Sequence, residues 1–422
     1  MRKVMCCPES LLPDTFDPDI LYFTMFTSTK NKNIGHVGID IPNAIRRDGL
    51  VPSVQAWDFA TIASAVAATD HAIVRQESAD GWTRMIELSI CLIEPTVWET
   101  KRAELELLLR FLTGDFWTLR FLPSSLKVPK SEKTRKQNTN CVCLLSGGID
   151  SLVGAIDLTS AGQKPFFVSQ VVRASSNAQA RFAAELGGSD RHLQWSFAVG
   201  HPGVSEKSTR ARSIIFFAFA ALAASAISSS ERQPVEIIVP ENGFISLNVP
   251  LGPGRLGSLS TKTTHPVYTA GIQELWDAVG IPARLSFPYQ YSTKGEILLN
   301  CADEGLLADL IVDSISCGKF QRHNLTQCGV CVPCMVRRAA FLKANLQDKT
   351  VKGYLHDDLA HSGSRDVAAA AAAYLRYKDI GIQRFTGGTF SFASVEERSR
   401  YENVVARGMD ELGQLLSIQG VI

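Results

Sequence analysis

The chain has 422 residues, 45% of them hydrophobic and 20% charged. A single core stops growing near about 250–300 residues, so this length predicts at least two domains. The 43 Lys and Arg nearly cancel the 42 Asp and Glu, leaving a formal charge of +1. The hydrophobic and charged fractions exclude a largely disordered or collagen-like chain, and the charge balance gives no whole-molecule pull toward nucleic acid or an anionic membrane. The most apolar run, residues 214–227, is broken at Ser225. It falls short of the ~18 residues of a membrane span and reads as a buried helix. The opening MRKVMCCPES lacks the apolar stretch of a secretory signal. Of ten cysteines, four crowd between 317 and 334, which suits a cytoplasmic protein with one metal site better than a disulfide scaffold.

In chain order, DILYFTMFT and IGHVGID read as strands, rich in β-branched and aromatic residues. Residues 58–74 read as a helix with Asp58 as its N-cap. MIELSICLI reads as a strand. Residues 98–112 read as an amphipathic helix, because Leu105, Leu108, Leu109 and Leu112 share one face, with Gly114 stopping it. Residues 1–123 thus form a smaller α+β domain. Residues 124–140 carry five basic residues and one acidic one and read as a solvated linker.

From Cys141 the pattern alternates: CVCLLS, a helix over 150–160, PFFVSQVV, a helix over 177–186, HLQWSF, a long helix over 210–227, and VEIIV. LIVDSIS, residues 310–316, reads as a fifth strand. Such alternation predicts a doubly wound α/β domain over 141–349, a parallel sheet with helices on both faces. Residues 350–422 read as a helical extension. Ser364 or Asp366 caps an alanine-rich helix, and Ser394 with Glu397 forms a capping box.

Chemistry concentrates in two places. The first is Ser146-Gly147-Gly148-Ile149-Asp150-Ser151, directly after a strand and opening a helix. Two glycines let the backbone turn tightly, and amides at a helix N-terminus have no intrahelical partner, so the segment suits a pyrophosphate group. Ser146 and Ser151 add hydroxyls, and the Asp150 carboxylate is a sensible Mg²⁺ ligand. The run is neither a Walker A motif nor a dinucleotide fingerprint. The second is Cys317, Cys328, Cys331 and Cys334, spaced C-x10-C-x2-C-x2-C. Four thiolates fill a tetrahedral Zn²⁺ and leave no open position, which predicts a structural zinc; a redox pair or an iron–sulfur cluster are the alternatives.

The run SGGIDS resembles the motif of the N-type ATP pyrophosphatase (PP-loop) superfamily. That resemblance implies an adenine nucleotide alpha-hydrolase-like fold and splitting of ATP between its α and β phosphates. With the cysteine cluster, the stretch from Cys141 to about Ala344 resembles the 7-cyano-7-deazaguanine synthase (QueC) family of queuosine biosynthesis. The matching runs are CVCLLSGGIDS, TRARSIIFFAFAALAA, STKGEILL and SISCGKF…CGVCVPCMVRRAAF. The resemblance implies ATP contacts from Ser146, Gly147, Gly148, Asp150, Ser151, Ser169 and Arg212. It makes Asp150, Lys294 and Arg212 the catalytic candidates, and Glu296 and Arg337 or Arg338 further matches. The family's Arg-Asn pair reads Arg212-Ser213 here, and its Asp-x-Ser-Gly-Tyr-Pro-Asp-Cys substrate run is replaced by residues 240–250 and a Gly-rich insertion. Glu241, Asn242, Arg255 and His265 are the substrate-binding candidates on that segment.

The longer architecture resembles the QueC-like components of Qat-type anti-phage defence systems. The resemblance implies an ATP-dependent carbon–nitrogen ligase that adenylates a 7-carboxy-7-deazaguanine-type base. The acceptor is then ammonia or the N-terminal amine of a partner protein. Two alternatives are a nucleotide- or tRNA-modifying enzyme, with residues 127–136 touching RNA, and a non-enzymatic nucleotide-binding scaffold of a defence complex.

Overall fold

The computed structural model describes residues 1–132, 139–228, 234–251 and 262–422. Eleven strands are found among them: β1 (Arg2–Cys7), β2 (Ile20–Met25), β3 (Gly35–Val37), β4 (Met85–Leu92), β5 (Phe116–Pro123), β6 (Cys141–Leu144), β7 (Pro165–Gln170), β8 (His192–Trp195), β9 (Val199–Gly200), β10 (Val235–Ile238) and β11 (Ala283–Ser286). They form two sheets, in the orders β5-β4-β1-β2-β3-β9 and β11-β10-β6-β7-β8. The second sheet is parallel throughout. The first is parallel from β1 to β5, and β9 closes its edge antiparallel to β3.

The N-terminal unit is therefore parallel α/β, not the α+β arrangement expected of residues 1–123. The difference turns on β1, a short strand with two basic residues in its first half that carries no clear period-2 pattern. It takes the centre of the sheet, between β4 and β2, and forces crossovers on both sides.

Alternation along the buried strands divides their side chains between two cores. Val142 and Leu144 join one apolar cluster, Cys143 and Leu145 another, and Phe166 and Phe167 split the same way. Both faces of the second sheet are covered as a result. One face receives Ile149–Ser160, the other Ile214–Ser228. The latter helix is apolar all round, so it must be buried all round. It packs on β6, β7 and β10 on one side and on the N-terminal helix Val54–Ala72 on the other. The apolar cluster running from Val4 to Ala283 therefore joins both sheets. No helix among the described residues is long and apolar enough to cross a membrane.

Buried charge locks the two sheets together. Arg84 and Arg75 both reach Asp70 and Asp115. The other oxygen of Asp70 accepts the amides of Arg210 and Ala211, at 2.6 and 2.7 Å, at the head of the long helix. The segment leading there is pinned by Glu206, which accepts from the Arg75 amide at 2.7 Å.

Several expectations are corrected. Residues 310–316 are not a strand. They end the helix Glu304–Leu310, capped by Asp303, and continue as a 3-10 turn over Ile311–Asp313. A short apolar run does not distinguish strand from buried helix. The fifth strand is instead β11, a four-residue strand that begins directly after Pro282. Asp58 does not cap a helix: Ser53 does, accepting from the Ala56 amide. Asp58 is buried one turn further on and accepts the amides of Ile93 and Glu94 at 2.9 and 2.8 Å. Burial pushes its carboxyl up to about 6, against those two bonds. The helix expected over 98–112 is two, Pro95–Glu99 and Arg102–Thr113, ended by Gly114 at φ 77°. The start of the basic linker is not free, because Leu126 and Val128 pack against the core. Residues 133–138 of it lie outside the described residues. In the C-terminal extension, Ser364 is the N-cap of Arg365–Thr386, and Ser394 and Glu397 form the capping box that opens Val395–Ile418. These helices share a core with Val332–Lys343.

Candidate functional site

The second sheet runs outward from β6 in opposite directions, to β7 and β8 on one side and to β10 and β11 on the other. The connections leaving β6 and β10 diverge, and a crevice opens at the carboxyl ends of these two strands. Open parallel sheets bind ligands at such a reversal. Both connections carry residues selected from the sequence.

After β6 the chain turns through Gly147, at φ 88°. A Cβ there would stand 2.9 Å from Ser175 Cβ, so both the conformation and the space require glycine. Gly148 is the N-cap of Ile149–Ser160 and has no side chain to cap the helix end. The Ser146 hydroxyl meets Ser151 Oγ at 3.1 Å, and Ser151 Oγ donates to Gly148 O at 2.9 Å. Gln179 fixes the loop from behind, donating to Ser146 O at 3.0 Å. Ser146, Gly148, Ile149, Asp150 and Ser151 line a cavity of about 220 Å³ that also touches Glu241 and Lys294.

Asp150 is the pivot. One carboxylate oxygen accepts from Asn242 twice, from the side-chain amide at 2.6 Å and from the backbone amide at 3.2 Å. The other forms an ion pair with the Lys294 ammonium. Both partners are buried, with side chains 6% and 10% exposed. Glu241, half-buried beside them, is pushed up to about 8 by burial and then by the Asp150 charge, with Lys294 pulling the other way. The crevice holds two carboxyl groups and one ammonium next to an uncapped helix end.

Lys294 is the first residue of the helix Lys294–Leu299 and is buried there. Thr293 caps its helix in a full capping box with Glu296, a T-x-x-E run that is legible in the sequence. The C-terminal helix then grips this turn. The Thr293 hydroxyl donates to Glu411, and Arg407 reaches Glu296 at 2.5 Å and Tyr291 O at 2.7 Å. Glu411 is pushed up to about 7, chiefly by burial. Residues 350–422 thus position the lysine, a role that no local pattern announces.

The other sequence candidates fall elsewhere. Ser169 is fully buried inside β7, donating to Leu145 O at 2.6 Å and meeting His192 Nε2 at 2.9 Å. Its hydroxyl is spent on the fold, and it does not line the cavity. Arg212 stands exposed at the head of the long helix, also outside the lining. Asn242 is fully buried, capping the turn Gly243–Ser246 and bracing Asp150. His265 is the N-cap of Pro266–Val279 and is packed between the rings of Phe111 and Phe392. Burial pushes its imidazole down to about 4. Arg255 lies outside the described residues. Arg337 is buried against Asp348 and Ser314, and Arg338 donates to Asp357 O at 2.6 Å.

The four cysteines converge. Their sulfurs all lie within 4.8 Å of one another, and the pairs Cys317–Cys331 and Cys328–Cys334 stand 3.9 Å apart. Four sulfurs at about 2.3 Å from one ion stand about 3.8 Å apart in a tetrahedron, so the set fits Zn²⁺. Amides support it: those of Lys319 and Cys328 donate to Cys317 Sγ at 3.4 Å, and that of Cys331 to Cys328 Sγ at 3.3 Å. The Cys331 and Cys334 thiols, with the Cys328 and Lys319 amides, hold Cys317 well below the usual thiol range against its burial. All four are buried beneath Phe320, Val330 and Tyr354. A closed, all-protein ligand set serves structure.

Compared with protein-family models, curated proteins and solved structures, the chain matches none.

Proposed function

We propose that this chain is an ATP-dependent carbon–nitrogen ligase, a QueC-like member of the PP-loop superfamily with a doubly wound, adenine nucleotide alpha-hydrolase-like domain. The observation that carries the reading is the uncapped helix end at Gly148, set at the strand-order reversal with Asp150 and Lys294 beside it. Backbone amides and helix dipole suit the pyrophosphate portion of ATP. Asp150 and Glu241 are the oxygen donors that would hold Mg²⁺, which when bound neutralises phosphate charge. The Lys294 ammonium is placed to offset charge developing on phosphate or carboxylate oxygen.

The reaction is written in two steps. A carboxylate oxygen of the substrate attacks the α-phosphorus of ATP; the bond to the β-phosphate oxygen breaks and pyrophosphate leaves. An amine then attacks the acyl carbon of the mixed anhydride, loses a proton, and AMP leaves. A 7-carboxy-7-deazaguanine-type base is the carboxylate that the family resemblance favours. The amine is the N-terminus of a partner protein in anti-phage defence, or ammonia. Purified protein given ATP, 7-carboxy-7-deazaguanine and an amine acceptor should release AMP and pyrophosphate, and neither when ATP or the base is left out. Asp150→Asn, assayed below the lowered melting temperature that a stranded Lys294 gives it, should abolish release while holding its metal, and turnover retained in that variant contradicts the mechanism.

A further inference from the structure

The cysteine knuckle and the cavity at the phosphate loop share their walls. Ile315 and Ser316, immediately before Cys317, line that cavity; so do Pro333, between Cys331 and Cys334, and Val336 on the same helix. The Ile315 amide donates to Gly147 O at 3.0 Å. Its carbonyl stands 3.4 Å from where a Cβ on Gly148 would be. The glycine turn is therefore backed by the chain that enters the metal site.

That chain is itself held from the knuckle. The Ser316 amide donates at 3.3 Å to Gln327, the neighbour of Cys328. Arg337, one turn beyond Cys334 and fully buried, donates to Ser314 O at 2.9 Å and to Ser314 Oγ at 2.7 Å. Its remaining nitrogens fork onto Asp348 at 2.9 to 3.1 Å. Asp348 also accepts from the hydroxyl of Tyr354, whose ring packs on the four cysteines. A planar guanidinium with two fixed acceptor sets holds a geometry that a lysine cannot. Arg337 does not line the cavity, so it acts on the loop only through Ser314 and Ile315.

We infer that the metal knuckle and Arg337 form the rigid backing of the glycine turn, so that metal binding at the four cysteines and anion binding at the loop are coupled. Arg337 is a positioning residue. The inference rests on the reading of Ser146–Ser151 as an anion cradle. Without the backing, the turn must be ordered at the moment of binding, and that conformational entropy is subtracted from affinity. Coupling of this kind is reciprocal: whatever factor the metal contributes to anion affinity, the anion returns to metal affinity.

The test is calorimetric titration of the full, zinc-loaded chain with inorganic pyrophosphate, together with equilibrium competition for zinc by a chelator with and without saturating pyrophosphate. Arg337→Met should weaken pyrophosphate binding by about 10-fold, inside the range of about 5–150-fold for such couplings, and still hold one zinc. Arg337→Lys should fall between it and wild type. Arg338→Met should bind as wild type. Pyrophosphate should raise zinc affinity about 10-fold in wild type and clearly less in Arg337→Met. Should Arg337→Met fail to fold, Ser314→Ala removes only the hydroxyl acceptor; weakened binding there supports the inference, and unchanged binding overturns it. Arg337 variants that bind pyrophosphate as tightly as wild type with zinc in place overturn it, as does zinc affinity indifferent to pyrophosphate. A wild-type chain that binds no pyrophosphate overturns the anion-cradle reading itself.

Discussion

Lys294→Met isolates the pair at the centre of the crevice. The ammonium and the Asp150 carboxylate are both buried, and the carboxylate keeps only the two Asn242 bonds when the lysine is gone. Removing one partner of a buried ion pair costs about 3–5 kcal/mol, because the other charge is left uncompensated. The lysine's helix stays in place, because its capping box and the Arg407 and Glu411 contacts do not use the ammonium. The cost therefore comes from the charge and not from a collapsed turn. In a unit of 150–250 residues about 1 kcal/mol moves the melting temperature by about 2–4 °C, so the loss should read as a fall of at least about 6 °C in scanning calorimetry. Lys294→Met combined with Asp150→Asn should recover at least half of it, as neutral partners replace a stranded charge. A single variant melting within 2 °C of wild type, or a double variant worse than either single, refutes the electrostatic argument.

Three further outcomes follow from the same geometry. Gly147→Ala should destabilise by about 1–2 kcal/mol from left-handed backbone alone, more with the Ser175 contact, and should abolish pyrophosphate binding by calorimetry. Glu206 feels burial, which alone would raise its carboxyl, but the Arg75 and Ser208 amides and the Ser208 hydroxyl outweigh this and hold it down to about 2. Its contribution is present above an unfolded value of about 4.3 and is lost as pH falls toward 2. Urea melts between pH 5 and 2.5 should show Glu206→Gln with a flatter acid limb than wild type, by a margin that solvent screening of this partly exposed carboxylate keeps small. Purified chain should carry one zinc by elemental analysis, and Cys328→Ser should lose it and melt earlier, because the four thiolates staple a loop with only Phe320, Val330 and Tyr354 to cover it.

Legibility followed how local each signal is. The glycine turn, the cysteine spacing, the Ser394–Glu397 box and the apolar helix over 214–227 are short-range statements about backbone and ligand geometry, and each has its counterpart in the structure. Strand β1 and strand β11 were not legible, because a four- or six-residue strand takes its identity from its neighbours in the sheet. Asp58 looked like a cap because it precedes an apolar run; its actual acceptor role, toward Ile93 and Glu94, depends on a contact 35 residues away. Ser169 and His265 have the chemistry of ligand contacts but are consumed by internal hydrogen bonds. The converse holds for Arg407, Glu411 and Arg337. They hold the site through partners more than 20 or 100 residues distant, and no spacing in the chain encodes that.

The adenylation claim is tested most directly with 7-carboxy-7-deazaguanine labelled with ¹⁸O in its carboxylate. When the acceptor amine displaces AMP, the bridging oxygen stays with the phosphate, so mass spectrometry should find one ¹⁸O in each AMP released. Unlabelled AMP, or ADP and inorganic phosphate in its place, contradicts the account.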